Sequence, residues 1–240
     1  MKKIIIYDFD GTLTPSSIPR YEILEKVGFK EGLFNQEIIK RASELVKNTG
    51  IGKVEALYKI YFDIVKKNGF KLTNENFCKG SNNVEYNIGV EDFLDELYEN
   101  DIKQYILSSG IKVFLDKMNI AHYFEEIYAT TFYYDDNNEV SGFKFLMSDK
   151  QKVFMIKDIL EKNDIDSSNC TNIIYIGDGL TDYDAMEYVT NNGGKAIYLY
   201  DDINDMDLIE MKEKEVISFA CKADFSKSSE LYNYIKSQIN

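Results

Sequence analysis

The sequence predicts an α/β protein with a doubly wound, Rossmann-like parallel sheet and a helical unit inserted near its start. Short apolar segments such as 4–7 and 172–176 alternate with amphipathic helical segments, which is typical of a parallel sheet covered on both faces. A purely helical pattern runs from Tyr21 to about Phe77. The two prolines, Pro15 and Pro19, restrict the backbone where the chain enters that stretch.

The elements after Gly89 follow the alternation of strand and helix. They are predicted, in chain order, as a helix at 90–100, a strand at 103–107, a helix at about 113–119, a hairpin at 127–145 around the polar turn 135–138, a helix from about 150, a strand at 172–176, a helix after 181 and a strand at 196–200. We therefore predict a catalytic core of residues 1–14 and 89–240, with an inserted helical domain at 15–88.

Composition excludes several classes of function. The 28 Lys and Arg against 41 Asp and Glu give the 240-residue chain a net charge of −13. Nucleic acids and anionic membranes are bound through surplus basic charge, so neither is an expected partner. The apolar start of the chain breaks at Asp8, and no run reaches the ~18 apolar residues of a membrane span. We expect a cytoplasmic globular protein.

An acidic motif follows the first strand, at the edge of the sheet where ligands bind in such folds. Asp8 and Asp10 alternate with Phe9, so an extended backbone would place both carboxylates on one side. Two carboxylates held close together need a cation or a shared proton. Gly11 permits a tight turn, and Thr12 offers a hydroxyl and an amide to an anion.

Two further motifs follow other predicted strands. In the segment 177–182, GDGLTD, glycines allow a close turn while Asp178 and Asp182 supply the hard oxygen ligands that Mg²⁺ selects. Ser108, Ser109 and Gly110 end another strand and precede a helix, which predicts an anion-binding loop. A lysine near the start of the helix from 150 could bring a positive charge to the same edge.

Taken together, these motifs resemble those of the haloacid dehalogenase superfamily, and most closely its phosphoserine-phosphatase-like branch. The resemblance covers the whole chain. Its four motifs correspond to the segments 8–14 (DFDGTLT) and 106–110 (ILSSG), a lysine near 150, and 177–182 (GDGLTD). The resemblance implies that the helical insertion is a cap domain and that the hairpin before Gly142 belongs to the same branch.

The resemblance also implies a role for each motif residue. Asp8 would be the nucleophile that becomes an aspartyl phosphate, and Asp10 the general acid and base. Mg²⁺ would be held by the side chains of Asp8 and Asp178 and by the backbone carbonyl of Asp10, with Asp182 supporting its bound waters. The phosphate would be held by Gly11, Thr12, Ser108, Ser109 and Gly110.

The lysine and the substrate-contacting residues are less closely specified by the sequence. From Lys152, apolar residues recur at i+3, i+4, i+7 and i+8, which favours it as the site lysine, whereas Lys150 has the better-placed helix cap in Ser148. Ser17 stands where phosphoserine phosphatases carry a glutamate that grips the substrate amine, which argues against phosphoserine. The candidate substrate contacts in the cap are Arg20, Arg41 and Lys53.

The resulting hypothesis is a Mg²⁺-dependent phosphomonoesterase that hydrolyses a small phosphorylated metabolite through an aspartyl phosphate. Two alternatives stay open at this point. One is a phosphotransferase that passes the phosphoryl group to an acceptor other than water. The other is a non-catalytic, receiver-like module that binds phosphate and Mg²⁺, although a receiver keeps its phosphate whereas Asp10 would speed its removal.

Overall fold

The computed structural model describes residues 3–15, 17, 31–201, 203 and 206–239, with 31–35 described by their backbone. The strands are β1 (Ile4–Tyr7), β2 (Lys103–Ile111), β3 (Glu126–Tyr134), β4 (Val140–Phe145), β5 (Ile173–Gly177), β6 (Lys195–Leu199) and β7 (Phe219–Cys221). The helices are α1 (Glu31–Thr49), α2 (Lys53–Lys67), α3 (Asn74–Cys78), α4 (Val90–Glu99), α5 (Lys112–Leu115), α6 (Asp149–Lys162), α7 (Tyr183–Asn191), α8 (Met206–Glu213) and α9 (Glu230–Ile239).

The strands form one seven-stranded sheet in the order β4-β3-β2-β1-β5-β6-β7. All neighbouring strands are parallel except β3 and β4, which form the antiparallel hairpin that the polar turn predicts. Helices α4 and α9 cover one face, and α6, α7 and α8 cover the other. The predicted doubly wound α/β fold is therefore confirmed.

The strands that follow β1 in the chain lie on both of its sides in the sheet. The chain continues from β1 to β2 on one side, and returns on the other side as β5. All four residues of β1 are buried because helices cover both faces of the sheet, which explains its unbroken apolar sequence. Such a switch point leaves a crevice at the carboxyl ends of the strands, where ligands bind in this class of fold.

The described part of the insertion is helical, as its periodicity predicts. Among the described residues of 31–89, no strand occurs. Helix α2 packs against the β3–β4 hairpin through Tyr58, whose ring lies 5.6 Å from the ring of Phe132 and 5.7 Å from that of Phe143. The backbone N–H of Val140 also donates to the carbonyl of Leu72 at 2.9 Å. The insertion thus contacts the sheet at its hairpin end, while the predicted domain boundaries stay a prediction.

The local structure predicted for the segment around Ser108–Gly110 was wrong. Instead of ending at 107, β2 runs on to Ile111, with its pairing to β3 shifted between Ser108 and Ile111. The helix predicted at 113–119 covers only Lys112–Leu115. An irregularity of this kind re-aims side chains near a sheet edge without ending the strand, and residue periodicity alone does not reveal it.

No helix in the described residues has the length and apolar character needed to cross a membrane. Two residues of the predicted insertion lie outside the residues that the structure describes. They are Arg20, a candidate substrate contact, and Pro19, one of the two prolines at the entry to the insertion.

A charge cluster ties the last helix to α4, and it gives a prediction about acid stability. Glu96 accepts hydrogen bonds from Lys236 at 2.9 Å and from the hydroxyl of Tyr232 at 2.8 Å, and Lys227 lies 3.3 Å away. Lys236, Tyr232 and Lys227 together lower the pKa of Glu96 to about 2. Because the folded pKa lies below the unfolded one, this stabilisation is present above about pH 4.5 and is lost as the pH falls towards 2.

We therefore expect Glu96→Gln to lower the free energy of unfolding at pH 7 by about 1 kcal/mol, a modest value because the cluster is partly solvated. The difference from wild type should shrink as urea denaturation is repeated at decreasing pH below 4.5. Glu99→Gln, an exposed change at the end of the same helix, is the control. A deficit that stays constant from pH 7 to pH 3 would contradict this account.

Candidate active site

The two acidic motifs meet at the switch point of the sheet. Asp8 follows the last residue of β1, and Asp178 follows the last residue of β5. The backbone N–H of Asp8 donates to the carbonyl of Ile176 at 2.8 Å, so the sheet pairing continues into the first motif and fixes the position of Asp8. The parallel strands thus place residues that are 170 positions apart at one edge, as the sequence predicts.

Three carboxylates lie together at this edge. Asp8, Asp178 and Asp182 each offer an oxygen atom, and these atoms lie within 4.8 Å of one another. Asp182 is fully buried and Asp8 is 6% exposed. Within the described residues, Asp182 Oδ2 is a buried oxygen with no hydrogen-bond partner. Such a cluster needs a positive charge close by, because like charges in a buried site raise one another's energy.

Lys152 supplies one positive charge. Its Nζ donates to Asp8 Oδ1 at 2.9 Å and to Asp182 Oδ1 at 2.6 Å, and its side chain is 1% exposed. Lys152 lies in the first turn of α6, which aims it at the sheet edge. Lys150, the alternative, is exposed and lines a separate groove with Phe154. The structure therefore brings Lys152 to the carboxylates, in agreement with the apolar register that favours it.

The charged groups perturb one another strongly. Burial raises the pKa of Asp8 to about 6, with Lys152 opposing that rise and Asp182 adding to it. Burial, together with Asp8 and Asp182, also raises the pKa of Asp178 well above its usual range. Burial disfavours the charged form of Lys152, but the carboxylates of Asp182 and Asp8 raise its pKa overall. Shifts of this kind are typical of catalytic sites.

Gly11 has two properties that the first motif requires. Its φ is +81°, a left-handed conformation that glycine adopts without strain. A Cβ at this position would lie 2.0 Å from Asp178 Oδ2. The missing side chain is therefore what allows the carboxylate of Asp178 to lie against the backbone of the first motif.

Gly11→Ala is accordingly expected to reduce catalytic activity at least about 100-fold, because the new methyl group would displace the Asp178 carboxylate by about an ångström or more. The measurement is kcat/KM with the best phosphorylated substrate found for the wild type. Gly69→Ala is a matched control, since Gly69 has φ +80° and a Cβ added there would meet no atom within 4 Å. Both variants share the strain of about 1 kcal/mol from the left-handed backbone. Equal activities in the two variants would contradict the prediction.

Thr12 and Asp10 occupy the turn between the two carboxylate loops. The hydroxyl of Thr12 donates to Asp178 Oδ1 at 3.2 Å, and its amide donates to the carbonyl of Phe9 at 3.2 Å. In this arrangement Thr12 orients Asp178, although the sequence predicts it as a phosphate ligand. Asp10 pairs through its backbone with Thr14, and its carboxylate lies outside the cluster of three carboxylates. The resemblance likewise implies that only the backbone carbonyl of Asp10 would bind the ion.

The Ser108–Gly110 segment lies in the last part of β2, just beyond the residues that pair with β1 and alongside β3. Ser108 is buried, and its Oγ accepts the N–H of Gly110 at 2.9 Å. The carbonyl of Ser109 accepts two hydroxyl donors, Tyr58 at 2.6 Å and Thr130 at 3.0 Å. These bonds fix the backbone of the segment from both the insertion and β3. The Gly110 amide, which belongs to the predicted anion-binding loop, thus donates within the segment itself.

Ser17, which argues against phosphoserine, and the candidate substrate contacts Arg41 and Lys53 lie in different parts of the structure. Ser17 Oγ is buried without a hydrogen-bond partner in the described part of the chain. Arg41 pairs with Asp63 at 2.7 Å and with Glu37 at 3.2 Å, so it is engaged within the helices of the insertion. Lys53 lies at the start of α2 and acts electrostatically on Asp149, at the start of α6.

Two tyrosines in the site were missed from the sequence. The hydroxyl of Tyr175, on β5, donates to Asp182 Oδ1 at 2.5 Å, and that of Tyr58 reaches the Ser109 carbonyl. The sequence carries a weak signal for Tyr175, since it interrupts an otherwise aliphatic strand (IIYIG). Tyr58 fits an apolar helical stripe, which offers no reason to assign its hydroxyl a role.

Comparisons with known proteins agree with this geometry. A model of the family described as haloacid dehalogenase-like hydrolase matches residues 5–187. A substrate-bound phosphoserine phosphatase complex is similar in structure, with a TM-score of 0.65 and 18% identity over 99% of this chain and 98% of that one. A phospho-aspartyl intermediate analogue of phosphoserine phosphatase gives a TM-score of 0.64 and 19% identity over 98% of each chain. A phosphoserine phosphohydrolase-like protein of Francisella tularensis gives 0.58 and 20% over 91% of this chain and 94% of that one. A search of curated proteins gives no significant match.

The sheet is doubly wound, and the family match covers the five strands that come first in the chain, β1 to β5. Together these two features define a hydrolase. The chain belongs to the haloacid dehalogenase-like hydrolases, and the family predicted from its four motifs is confirmed.

Proposed function

We propose that this protein is a Mg²⁺-dependent phosphomonoesterase that hydrolyses a small phosphorylated metabolite through an aspartyl phosphate on Asp8. The observation that carries the proposal is the position of Asp8. Its carboxylate is buried at the switch point, bonded to Lys152, and grouped with Asp178 and Asp182. With a pKa of about 6, Asp8 is ionised at neutral pH and is a competent nucleophile.

The residues present fit a divalent cation. Three carboxylates against one ammonium leave two formal negative charges at the site. Asp182 Oδ2 is buried and lacks a hydrogen-bond partner among the described residues. Oxygen donors of this kind suit Mg²⁺, which would be held by Asp8, Asp178 and the Asp10 carbonyl with support from Asp182. When bound, the ion would offset the repulsion between the carboxylates and an anionic phosphate.

The reaction would proceed in two displacements at phosphorus. In the first, a carboxylate oxygen of Asp8 bonds to phosphorus as the ester P–O bond breaks, and Asp10 protonates the leaving oxygen. In the second, Asp10 takes a proton from water, which attacks the phosphorus, releases inorganic phosphate and restores Asp8. Lys152 stays bonded to Asp8 Oδ1 and provides positive charge for the transferring group.

The phosphate would be held by the Ser108–Gly110 segment together with the turn at Gly11 and Thr12. The buried Ser108 lies two residues after Ile106, the last residue of β2 that pairs with β1. Its Oγ accepts the N–H of Gly110, and its own O–H would donate to a phosphate oxygen. Support for this role comes from the parallel pairing of β2 with β1, which runs up to Ile106 and Tyr7, and from the two hydroxyls that brace the Ser109 carbonyl.

The substrate would be a small phosphate monoester other than phosphoserine. Ser17 offers a neutral hydroxyl where a carboxylate would be needed to bind an ammonium group. The helices of the insertion would act as a cap that closes over the substrate. We place the enzyme in the cytoplasm. Its net charge of −13 opposes binding to polyanions, so neither nucleic acids nor anionic membranes would be its partners.

The test is the release of inorganic phosphate from para-nitrophenyl phosphate and from a panel of phosphorylated metabolites that includes phosphoserine. We expect activity with Mg²⁺, none after removal of the metal with EDTA, and restoration when Mg²⁺ is added back. Addition of alcohols as acceptors would expose a transferase through phosphorylated products. Absence of phosphate release from every substrate in the presence of Mg²⁺ would overturn the proposal.

A further inference from the structure

Tyr175 places a polar group deep in an otherwise apolar part of the core. It lies in the middle of β5, paired with Ile6 on one side and Ala196 on the other, and it is 0% exposed. Its hydroxyl donates to Asp182 Oδ1 at 2.5 Å. A hydrogen bond to a buried carboxylate is among the stronger ones in proteins, and the loss of either partner leaves a buried group unsatisfied.

Asp182 connects Tyr175 to the nucleophile Asp8 through Lys152. The same Oδ1 atom accepts Lys152 Nζ at 2.6 Å, and Lys152 Nζ also donates to Asp8 Oδ1 at 2.9 Å. A continuous chain of charged and polar groups therefore leads from Tyr175 to Asp8. Every group in it is at least nine-tenths buried, so solvent screens the interactions little.

The carboxylate of Asp182 is held on two sides. Tyr175 and Lys152 fix its Oδ1 atom, and a Cβ on Gly177 would lie 2.5 Å from both its Cγ and its Oδ2. The carboxylate thus packs directly against the backbone of Gly177. Oδ2 lies against that backbone and has no hydrogen-bond partner among the described residues, while the carboxylate as a whole belongs to the acidic cluster.

We infer that Tyr175 is a positioning residue: its hydroxyl sets the rotation of the Asp182 carboxylate, so that Oδ1 holds Lys152 beside Asp8 and the carboxylate keeps its place in the acidic cluster that would bind the cation. The inference rests on the proposed function for the identity of the cation. Removal of the hydroxyl would free the carboxylate to rotate towards Lys152 with both oxygens. The carboxylate would then lose its fixed place beside the cation, and Lys152 would be drawn away from Asp8.

Tyr175→Phe removes this hydroxyl and keeps the ring. We expect Mg²⁺ binding to the variant, measured by calorimetry without substrate, to weaken about tenfold. In steady-state kinetics, kcat should fall about tenfold, while KM for the substrate stays within about twofold because the phosphate-binding segment is unchanged.

Tyr7→Phe is the matched control. Tyr7 lies on the adjacent strand β1, is equally buried, and donates its hydroxyl to Gln104 Oε1 at 2.9 Å, away from the carboxylates. A comparable loss of stability is expected in both variants, but Mg²⁺ binding should weaken only in Tyr175→Phe. Near-UV circular dichroism verifies that both variants fold. Equal Mg²⁺ affinities in the two variants would overturn the inference.

A double-mutant cycle with Asp182→Asn tests the route of the effect. If Tyr175 acts through Asp182, Tyr175→Phe should change Mg²⁺ affinity little in the Asp182→Asn background. The same loss of about tenfold in both backgrounds would overturn the inference. Weakened Mg²⁺ binding in Tyr175→Phe, in a protein that releases phosphate from no substrate, would support the positioning role while the proposed function failed.

Discussion

Asparagine in place of Asp8 is expected to abolish phosphate release, lowering kcat/KM by ~10⁴-fold or more. The amide has nearly the shape of the carboxylate but cannot form the bond to phosphorus. It also removes one of the three carboxylates in the cluster. The measurement is phosphate release at saturating Mg²⁺, with the residual rate compared to the rate without enzyme.

The same variant should keep its stability without metal. Burial and Asp182 raise the pKa of Asp8 to about 6, so keeping Asp8 ionised at neutral pH costs the folded protein free energy relative to the unfolded chain. A raised pKa contributes stability below the unfolded value near 3.8, and that contribution is lost as the pH rises through 6. Removal of the carboxylate relieves this penalty, although Lys152 keeps only a neutral amide oxygen in place of one of its two charged acceptors.

We therefore expect the metal-free Asp8→Asn variant to have a Tm at about pH 7.5 equal to or above that of the wild type, while its activity is lost. Asp116→Asn, which removes a partly exposed carboxylate that pairs with Lys112 on α5, is the control and should change neither quantity much. An active Asp8→Asn enzyme would contradict the assignment of the nucleophile. An inactive variant with a sharply lowered Tm would contradict the electrostatic account.

The fold was predictable because its strands are short, apolar and followed by specific turn residues. The unbroken apolar β1 predicts a strand buried on both faces, and the polar turn at 135–138 predicts the β3–β4 hairpin. The path of β2 through Ser108–Ile111 was not predictable. A shift in strand pairing depends on the partner strand β3, and a single segment carries no information about that partner.

The acidic site was predictable to the level of which residues meet, since parallel strands bring their carboxyl ends to one edge. The bonds that organise it were not. Thr12 was expected to hold phosphate, but its hydroxyl donates to Asp178. The hydrogen bond from Tyr175 to Asp182 could not be predicted from the sequence. It depends on how the turn after β5 folds back on Gly177 and brings Asp182 to the tyrosine hydroxyl. Side-chain contacts of this kind depend on tertiary structure, which residue spacing does not encode.

Lys152 is expected to matter for both stability and activity, and Lys150 for neither. Lys152 is the buried cation between Asp8 and Asp182, so Lys152→Met leaves two buried carboxylates without their partner. Removal of one member of a buried ion pair costs about 3–5 kcal/mol, because the remaining charge stays desolvated. Catalysis should fall by several orders of magnitude as well, since the transferring phosphoryl group loses a positive charge.

Mg²⁺ makes this prediction sharper. In Lys152→Met the cluster of Asp8, Asp178 and Asp182 carries one more uncompensated charge, so saturating Mg²⁺ should restore more of the free energy of unfolding in the variant than it adds to the wild type. Urea denaturation with EDTA and with Mg²⁺ measures both effects. Lys150→Met, an exposed change two residues away on α6, should leave the free energy of unfolding nearly unchanged and kcat/KM within about twofold of wild type. Equal losses in the two lysine variants, or a fully active Lys152→Met enzyme, would show that the site lysine has been misassigned.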